Sequence, residues 1–273
     1  MKKRIFALFL SALLLVTVLC ACGDESQSEV GGTGSDGTST SGEAVTGGEL
    51  VVGISQDLGD SLDPYQMTAA GTREVLFNVY EGLVKPTSTG EYVPAVASDS
   101  TVSEDGLTYT FPLREGVLFH NGEEVTTDDV IYSFETCAET TVDTALAAAL
   151  SAVESVTADG NTITVTLSEA NPDFLSYVGM VYIVPDDYTD QATAPVGTGP
   201  FRFVSRSVQQ NLVMEKFADY WGEGASLDKV TFQIFEDSNA LMSALSAESV
   251  DMAVHLTIDQ VNTIGEGTYK TLE

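Results

Sequence analysis

The residues best suited to chemistry are few. The 273-residue chain contains two histidines, His120 and His255, and three cysteines. Nucleophilic and zinc sites need such side chains at set spacings, and the sequence contains no Gly-x-Ser-x-Gly, His-Glu-x-x-His or Cys-x-x-Cys motif. Cys137 lies on an apolar helical stripe, which is typical of a buried thiol. The motifs therefore do not support hydrolytic or thiol chemistry.

Two further segments contain residue types that bind ions. Asp57, Asp60 and Asp63 fall in one loop and carry the carboxylates that calcium prefers, but their spacing is not that of an EF-hand. Turn formation and solvation are the favoured roles. The Gly-Thr-Gly segment 197–199 could cradle an anion, yet a lone Gly-x-Gly is weak evidence for that. A backbone role is favoured there, and we expect neither a metal nor a cofactor.

The net charge of the chain limits the kinds of molecule that it can bind. The net charge is −30, and three of the eleven basic residues lie within the first four positions. Without them, eight basic and 41 acidic residues remain, which gives −33. Such a surface repels nucleic acid and anionic lipid and favours solubility, so no nucleic-acid partner is expected.

The first 48 residues are typical of targeting and tethering. Residues 1–22 combine a basic start, an apolar run too short for a membrane span, and a Leu-x-Ala-Cys ending that resembles the bacterial lipobox. Cys22 is the predicted lipidated residue, because Ala21 precedes it, whereas Cys20 follows a bulky leucine. Residues 23–48 are rich in Gly, Ser and Thr, which predicts a flexible linker.

The segments that follow alternate in hydropathy. Apolar and polar residues alternate through 107–114, which predicts a strand with one buried face. Pro112 cannot donate to a strand ladder, so the strand should end there or lie at an edge. A short strand is predicted at 117–120, and Asn121-Gly122 predicts a turn because both residues tolerate positive φ.

Helix signals follow this turn. Thr126 with Asp129 three residues later predicts a capped helix, whose apolar stripe ends at Cys137. The same reasoning predicts the following elements: strands at 49–55, 153–158, 162–167, 182–185, 201–205, 212–217 and 230–235, and helices at 72–80, 143–152, 172–178 and 237–247.

Several of these segments resemble one known family. Residues 110–114 read Thr-Phe-Pro-Leu-Arg, 116–122 read Gly-Val-Leu-Phe-His-Asn-Gly, and 126–130 read Thr-Thr-Asp-Asp-Val. This order resembles the signature of the family 5 extracytoplasmic solute-binding proteins of peptide and nickel ABC importers. Further matches occur at Leu-Asp-Pro 62–64, Tyr-Glu-Gly-Leu 80–83, Gly-Thr-Gly-Pro-Phe 197–201 and Tyr-Trp-Gly 220–222.

The resemblance implies a fold. It implies an α/β, periplasmic-binding-protein-like (type II) lobe with an inserted α+β subdomain. We assign 49–66 and 197–273 to an incomplete main lobe and 67–196 to the inserted subdomain. Family members are roughly twice as long and have a second lobe that closes over the ligand. We expect that second lobe to be absent from this sequence. The favoured explanation is that the sequence is a fragment, and the alternative is a one-lobed variant.

The resemblance also implies where a ligand would bind. Ser55 and Gln56 follow the first strand, in the segment that faces the cleft in the family. Val254 and His255 follow a Gly-x-x-Asp step at the cleft wall, where this chain has Glu248 in place of the glycine. His255 could bind a polar ligand group or lie at the surface without that role, and His120 is predicted to be structural.

The implied function is solute capture without catalysis. The resemblance implies a monomeric lipoprotein on the extracytoplasmic face of the cell membrane, which binds peptides and delivers them to an ABC permease. Nickel chelates or sugars are alternative ligands within the family. A secreted hydrolase and a structural or adhesive lipoprotein are the alternatives from other classes.

Overall fold

The computed structural model describes residues 46–264 and residue 269. The predicted leader 1–22, with Cys22, and most of the predicted linker 23–48 lie outside these residues. The strands are β1 (Glu49–Ile54), β2 (Val84–Pro86), β3 (Tyr92–Pro94), β4 (Thr101–Val102), β5 (Thr108–Pro112), β6 (Val153–Asp159), β7 (Thr162–Leu167), β8 (Phe201–Ser207), β9 (Asn211–Lys216), β10 (Lys229–Ile234) and β11 (Met252–Ala253). The helices are α1 (Ala70–Leu76), α2 (Thr127–Thr140), α3 (Thr144–Leu150), α4 (Phe174–Val178), α5 (Ser238–Ser246) and α6 (Ile258–Thr263).

A five-stranded mixed sheet carries the candidate site. Its order is β11-β1-β10-β9-β8, and β1 runs parallel to both of its neighbours. The apolar run of β1 is typical of a strand buried inside a sheet. Gly53 lets α5 pack closely on this strand, because a Cβ there would lie 2.3 Å from Cδ1 of Leu241. The carboxyl ends of β1, β10 and β11 therefore meet at one edge.

A four-stranded antiparallel sheet forms the second layer. Its order is β4-β5-β7-β6. The predicted strand 107–114 is β5, which ends at Pro112 as expected. The predicted hairpin is β6 and β7, and Gly160 between them has φ +57°. The helix predicted after Thr126 is α2, and Thr126 and Asp129 form a reciprocal capping box.

Two predicted strands are wrong. Residues 117–120 make only an isolated bridge between Leu118 and Glu124, because the chain turns back at once. Residues 182–185 pair with no strand of the described part of the chain. The amide of Ile183 donates to the carbonyl of Glu81, and the amide of Val184 donates to Oγ of Ser133. Their hydrogen-bond capacity is thus satisfied by a loop and a side chain.

One hydrophobic core joins both sheets. The cluster includes Val52 and Met214 from the first sheet together with Phe111 and Ile163 from the second. The strands of the first sheet come from 49–54 and 201–253, and those of the second from 101–167. The proposed boundaries 49–66, 67–196 and 197–273 stay predictions. The helix predicted at 72–80 ends as α1 at Leu76 and is followed by turns.

Candidate functional site

The carboxyl edge of the parallel strands is where a ligand is expected in an open α/β sheet. A cavity of about 140 Å³ lies at this edge. We call it the carboxyl-edge cavity. It is lined by Ile54, Gln56, Gly71, Glu74, Val75, Phe232, Val254 and His255. These residues come from β1, β10, α1 and the segments that follow β1 and β11, so the cavity depends on the fold of distant parts of the chain.

Three of the four predicted site residues meet in this cavity. Gln56, Val254 and His255 line it, although Gln56 is far from the other two in sequence. Ser55 does not line it. Its hydroxyl lies 3.4 Å from Oγ of Ser238, at the start of α5.

Asp251 holds the last segment of the site in place. Its carboxylate accepts a hydrogen bond from the amide of Val51 at 2.8 Å, and its own amide donates to the carbonyl of Val51. This pairing brings β11 beside β1 and places Val254 and His255 at the rim. Glu248, at the position where the family has glycine, has φ +55°. The left-handed turn that glycine favours is therefore kept, at a cost in strain.

His255 forms the main polar contact across the cavity. Its Nε2 lies 2.9 Å from Oε2 of Glu74 on α1, and both side chains are about half exposed. His255 also has φ +61°, a conformation that non-glycine residues rarely adopt. Gln209 and Glu248 share this conformation and do not line the cavity, so the backbone of His255 does not by itself assign it a ligand role.

Sequence reasoning missed the residues that α1 supplies. Glu74 and Val75 form part of the wall, and Gly71 lies under Gln56, where a Cβ would be 3.2 Å from Oε1 of Gln56. A helix was expected at 72–80, but the sequence contained no signal that it meets the segment after β11.

The other chemically suited residues have structural roles. Gly197 donates to Nδ1 of His120, while Nε2 of His120 lies 2.9 Å from the carbonyl of Gly199. Burial lowers the pKa of His120 to about 4. Cys137 is fully buried, and burial raises the pKa of its thiol to about 12. These groups support the backbone and core rather than a reaction.

The acidic loop is also structural. Asp63 accepts a hydrogen bond from the amide of Tyr65, which closes a turn. Arg206 donates to the carbonyls of Leu58 and Gly59 and so holds the loop against β8. Within residues 46–264, no three His, Cys, Asp or Glu side chains form a group able to hold a metal ion. No helix in that part of the chain is long and apolar enough to cross a membrane.

Residues 91–272 match the profile of the family described as bacterial extracellular solute-binding proteins, family 5 middle. This match covers well over half of the chain. The chain belongs to this family. The expected family resemblance is thereby confirmed.

Individual members of the family are similar to this chain in sequence. The nickel-binding periplasmic protein of Escherichia coli is 30% identical over 184 residues, covering 64% of this chain and 35% of that protein. The oligopeptide-binding protein OppA of Bacillus subtilis is 25% identical, covering 93% of this chain and 50% of that protein. This chain thus spans between a third and a half of the length of these relatives.

A solved structure confirms the fold. The ABC transporter-associated periplasmic binding protein DppA from Helicobacter pylori, in complex with peptide STSA, aligns with a TM-score of 0.73 and 29% identity. The alignment covers 81% of this chain and 49% of DppA. The periplasmic-binding-protein-like α/β fold expected from the sequence is therefore correct.

Proposed function

We propose that this chain captures peptides outside the membrane and delivers them to an ABC permease, without catalysing a reaction. The observation that carries the proposal is the meeting of Gln56, Val254 and His255 around an apolar cavity at the carboxyl edge of β1, β10 and β11. OppA is named as an oligopeptide-binding protein, and DppA, whose structure aligns with this chain, was solved in complex with a peptide. Apolar walls with a few polar groups at the rim suit a ligand that combines a side chain with amide groups.

The site can orient a ligand but has little to react with it. Glu74 and His255 form the one contact between a carboxylate and an imidazole among the described cavity-lining residues. Gln56 adds a carboxamide, which can donate to a carbonyl and accept from an amide. These groups can select a polar backbone while Ile54, Val75, Phe232 and Val254 cover an apolar group.

Nickel is the second candidate ligand. The E. coli relative is named for nickel, and His255 and Glu74 are both residue types that bind this metal. Two protein donors leave most coordination positions to other groups, so a nickel ligand would have to bring its own chelator. Peptides are favoured because the cavity walls are largely apolar.

The test is calorimetry and thermal unfolding of the full chain with separate ligands. A mixture of di-, tri- and tetrapeptides should bind and raise the unfolding temperature, since a ligand that binds only the native state stabilises it by mass action. Nickel with free histidine is the second arm. His255→Ala should weaken peptide binding at least fivefold, and Gln209→Ala, at a distant turn, should not. If nickel with histidine bound and no peptide did, nickel would replace peptides as the proposed ligand. Hydrolysis of the peptides would contradict the proposal that the chain does not catalyse a reaction.

We further propose that the protein is a monomer anchored by a lipid on Cys22. A charged start, a short apolar run and the Leu-x-Ala-Cys ending support this anchor. Cys22→Ser should release the protein from the membrane fraction of expressing cells, and Cys20→Ser should leave it there. If the Cys22 variant stayed in the membrane fraction and the Cys20 variant left it, the lipid anchor would be assigned to Cys20 instead.

A further inference from the structure

A cavity of about 190 Å³ lies between α2 and the start of β6. We call it the α2–β6 cavity. Phe134, Leu150, Val153 and Val156 supply its apolar walls. None of these residues lines the carboxyl-edge cavity, and the sequence predicted a ligand role for none of them. The α2–β6 cavity is therefore formed by different residues from the candidate solute site.

A β-bulge shapes one wall of the α2–β6 cavity. The register between β6 and β7 shifts between Val153 and Ser155, so Glu154 is an extra residue in the strand. Side chains three residues apart in a regular strand point to opposite faces. The bulge changes this alternation, and Val153 and Val156 both line the cavity together with Glu154.

Two carboxylates accompany the apolar walls. Glu154 on β6 and Glu135 on α2 both line the cavity, and both residues are exposed. Neither takes part in any of the five ion pairs among the described residues. The cavity thus combines an apolar interior with two acidic groups that have no basic partner in the described part of the chain.

The edge of β6 is poorly suited to pair with a further strand. β6 ends the sheet order β4-β5-β7-β6, and β7 is its one strand partner within residues 46–264. Bulges and charged side chains protect such edges from pairing. A second copy of the chain would bring the acidic residues Glu154 and Asp159 of both β6 strands together, and each chain has a net charge of −30. A cationic side chain or small molecule therefore fits this place better than a strand.

We propose that the α2–β6 cavity binds an alkylguanidinium or alkylammonium group. Its alkyl chain would pack against Phe134, Leu150 and Val156, and its charge would lie beside Glu135 and Glu154. An apolar cavity of about 150 Å³ holds benzene, so about 190 Å³ has room for a chain of about five carbons. A free alkylamine and an arginine or lysine side chain of a partner protein share this chemistry. The inference does not depend on the proposed solute capture.

The test measures binding of n-pentylguanidine to the full chain by calorimetry. Physiological ionic strength is used, because the Debye length is then about 8 Å and attraction to distant acidic groups is screened. n-Propylguanidine has a shorter chain, and n-pentanol has no charge. Each methylene group removed from water contributes about fourfold in affinity, so n-pentylguanidine should bind at least about fourfold more tightly than n-propylguanidine. It should also bind more tightly than n-pentanol, and equal affinity for all three probes would overturn the inference.

Charge variants test the role of the two carboxylates. Glu135→Gln and Glu154→Gln should each lower the affinity for n-pentylguanidine about two- to fivefold, the range expected for a solvent-exposed charge pair. Glu139→Gln on α2 and Asp159→Asn on β6 are the matched controls, since both residues are exposed and neither lines the cavity. The controls should leave the affinity unchanged. An equal loss in all four variants would assign the binding to the acidic surface as a whole and overturn the inference.

A cavity-filling variant locates the alkyl chain. Ala138 lines the cavity from an exposed position of α2, and leucine is a good helix former. Ala138→Leu should remove the difference between n-pentylguanidine and n-propylguanidine, and a difference that persists would place the chain elsewhere and contradict the proposal.

A further probe distinguishes the two sources of the cation. Nα-acetyl-argininamide presents the same guanidinium group on a peptide unit. Tighter binding of this probe than of n-pentylguanidine would support a partner protein's side chain as the occupant, and weaker binding would support a free cation. Failure of every probe to bind would overturn this inference and leave the proposed function unaffected, because peptide capture is assigned to the carboxyl-edge cavity.

Discussion

Nε2 of His255 lies 2.9 Å from Oε2 of Glu74, which joins the segment after β11 to α1. The side chains are 48% and 54% exposed, so water screens the pair and its contribution to stability is about 0–1 kcal/mol. The main effect of this contact is to position the two side chains. The contact fixes an imidazole and a carboxylate at the rim of the carboxyl-edge cavity.

His255→Gly should separate stability from binding. The left-handed backbone of His255 costs an L-residue roughly 1–2 kcal/mol, and glycine avoids most of this cost but loses about 0.5–1 kcal/mol in chain entropy. The free energy of unfolding should therefore be unchanged or slightly higher. Peptide affinity should fall about tenfold, because the imidazole is lost. Urea unfolding and calorimetry measure the two quantities.

Gln209→Gly is the matched control for this variant. Gln209 also has a left-handed backbone, with φ +58°, but it lies in the turn between β8 and β9, away from the cavity. The stability change should be similar and peptide affinity should stay the same. An equal loss of affinity in both variants would assign the effect to the backbone rather than to the imidazole.

Gly197→Ala should destabilise the fold. A Cβ at Gly197 would lie 2.3 Å from the carbonyl oxygen of Val79 and 3.1 Å from Cα of Tyr80, and these backbone atoms leave little room to adjust. Overpacking of this kind costs about 1–3 kcal/mol, so the urea midpoint should fall clearly. Gly59→Ala is the control, since its nearest neighbour would be at 3.6 Å. A midpoint unchanged in Gly197→Ala would disprove the close-approach role.

Stability should fall in mild acid because of His120. Burial lowers the pKa of His120 to about 4; its hydrogen bond to Gly199 opposes the shift and the charge of Arg202 adds to it. In the unfolded chain the pKa is about 6.5, so between pH 6.5 and 4 the unfolded state binds the proton first. Stability is therefore complete above pH 6.5 and decreases by up to about 3 kcal/mol as pH falls to 4. Chemical unfolding of wild type and His120→Gln across this range isolates the effect, which should vanish in the variant.

Cys137 should be unreactive in the native protein. Its thiol is buried, with a pKa of about 12, and thiolate is the reactive form. In a Cys20→Ser/Cys22→Ser background, a thiol reagent at pH 8 should label Cys137 only after unfolding. Exposed Ser246→Cys in the same background should label at once. Rapid native labelling of Cys137 would show that α2 opens more readily than its packing indicates.

Local pattern was sufficient for most elements of the fold. The apolar run of β1, the alternation in β5 and the Asp159-Gly160 turn each contain their own signal, because strand and turn preferences act over a few residues. The capping box of α2 is likewise local. The strand predictions at 117–120 and 182–185 were wrong because an apolar run is not a strand without a partner.

The sequence by itself determined most of the secondary structure, the family and three of the residues that meet at the candidate site, because these follow from short-range periodicity and from recognisable motifs. Only the tertiary structure decided that Glu74 lies against His255 and that Ser55 faces α5. These contacts depend on how α1 and α5 pack beside the parallel strands. That packing is set by many weak interactions between distant segments, and no single segment encodes it.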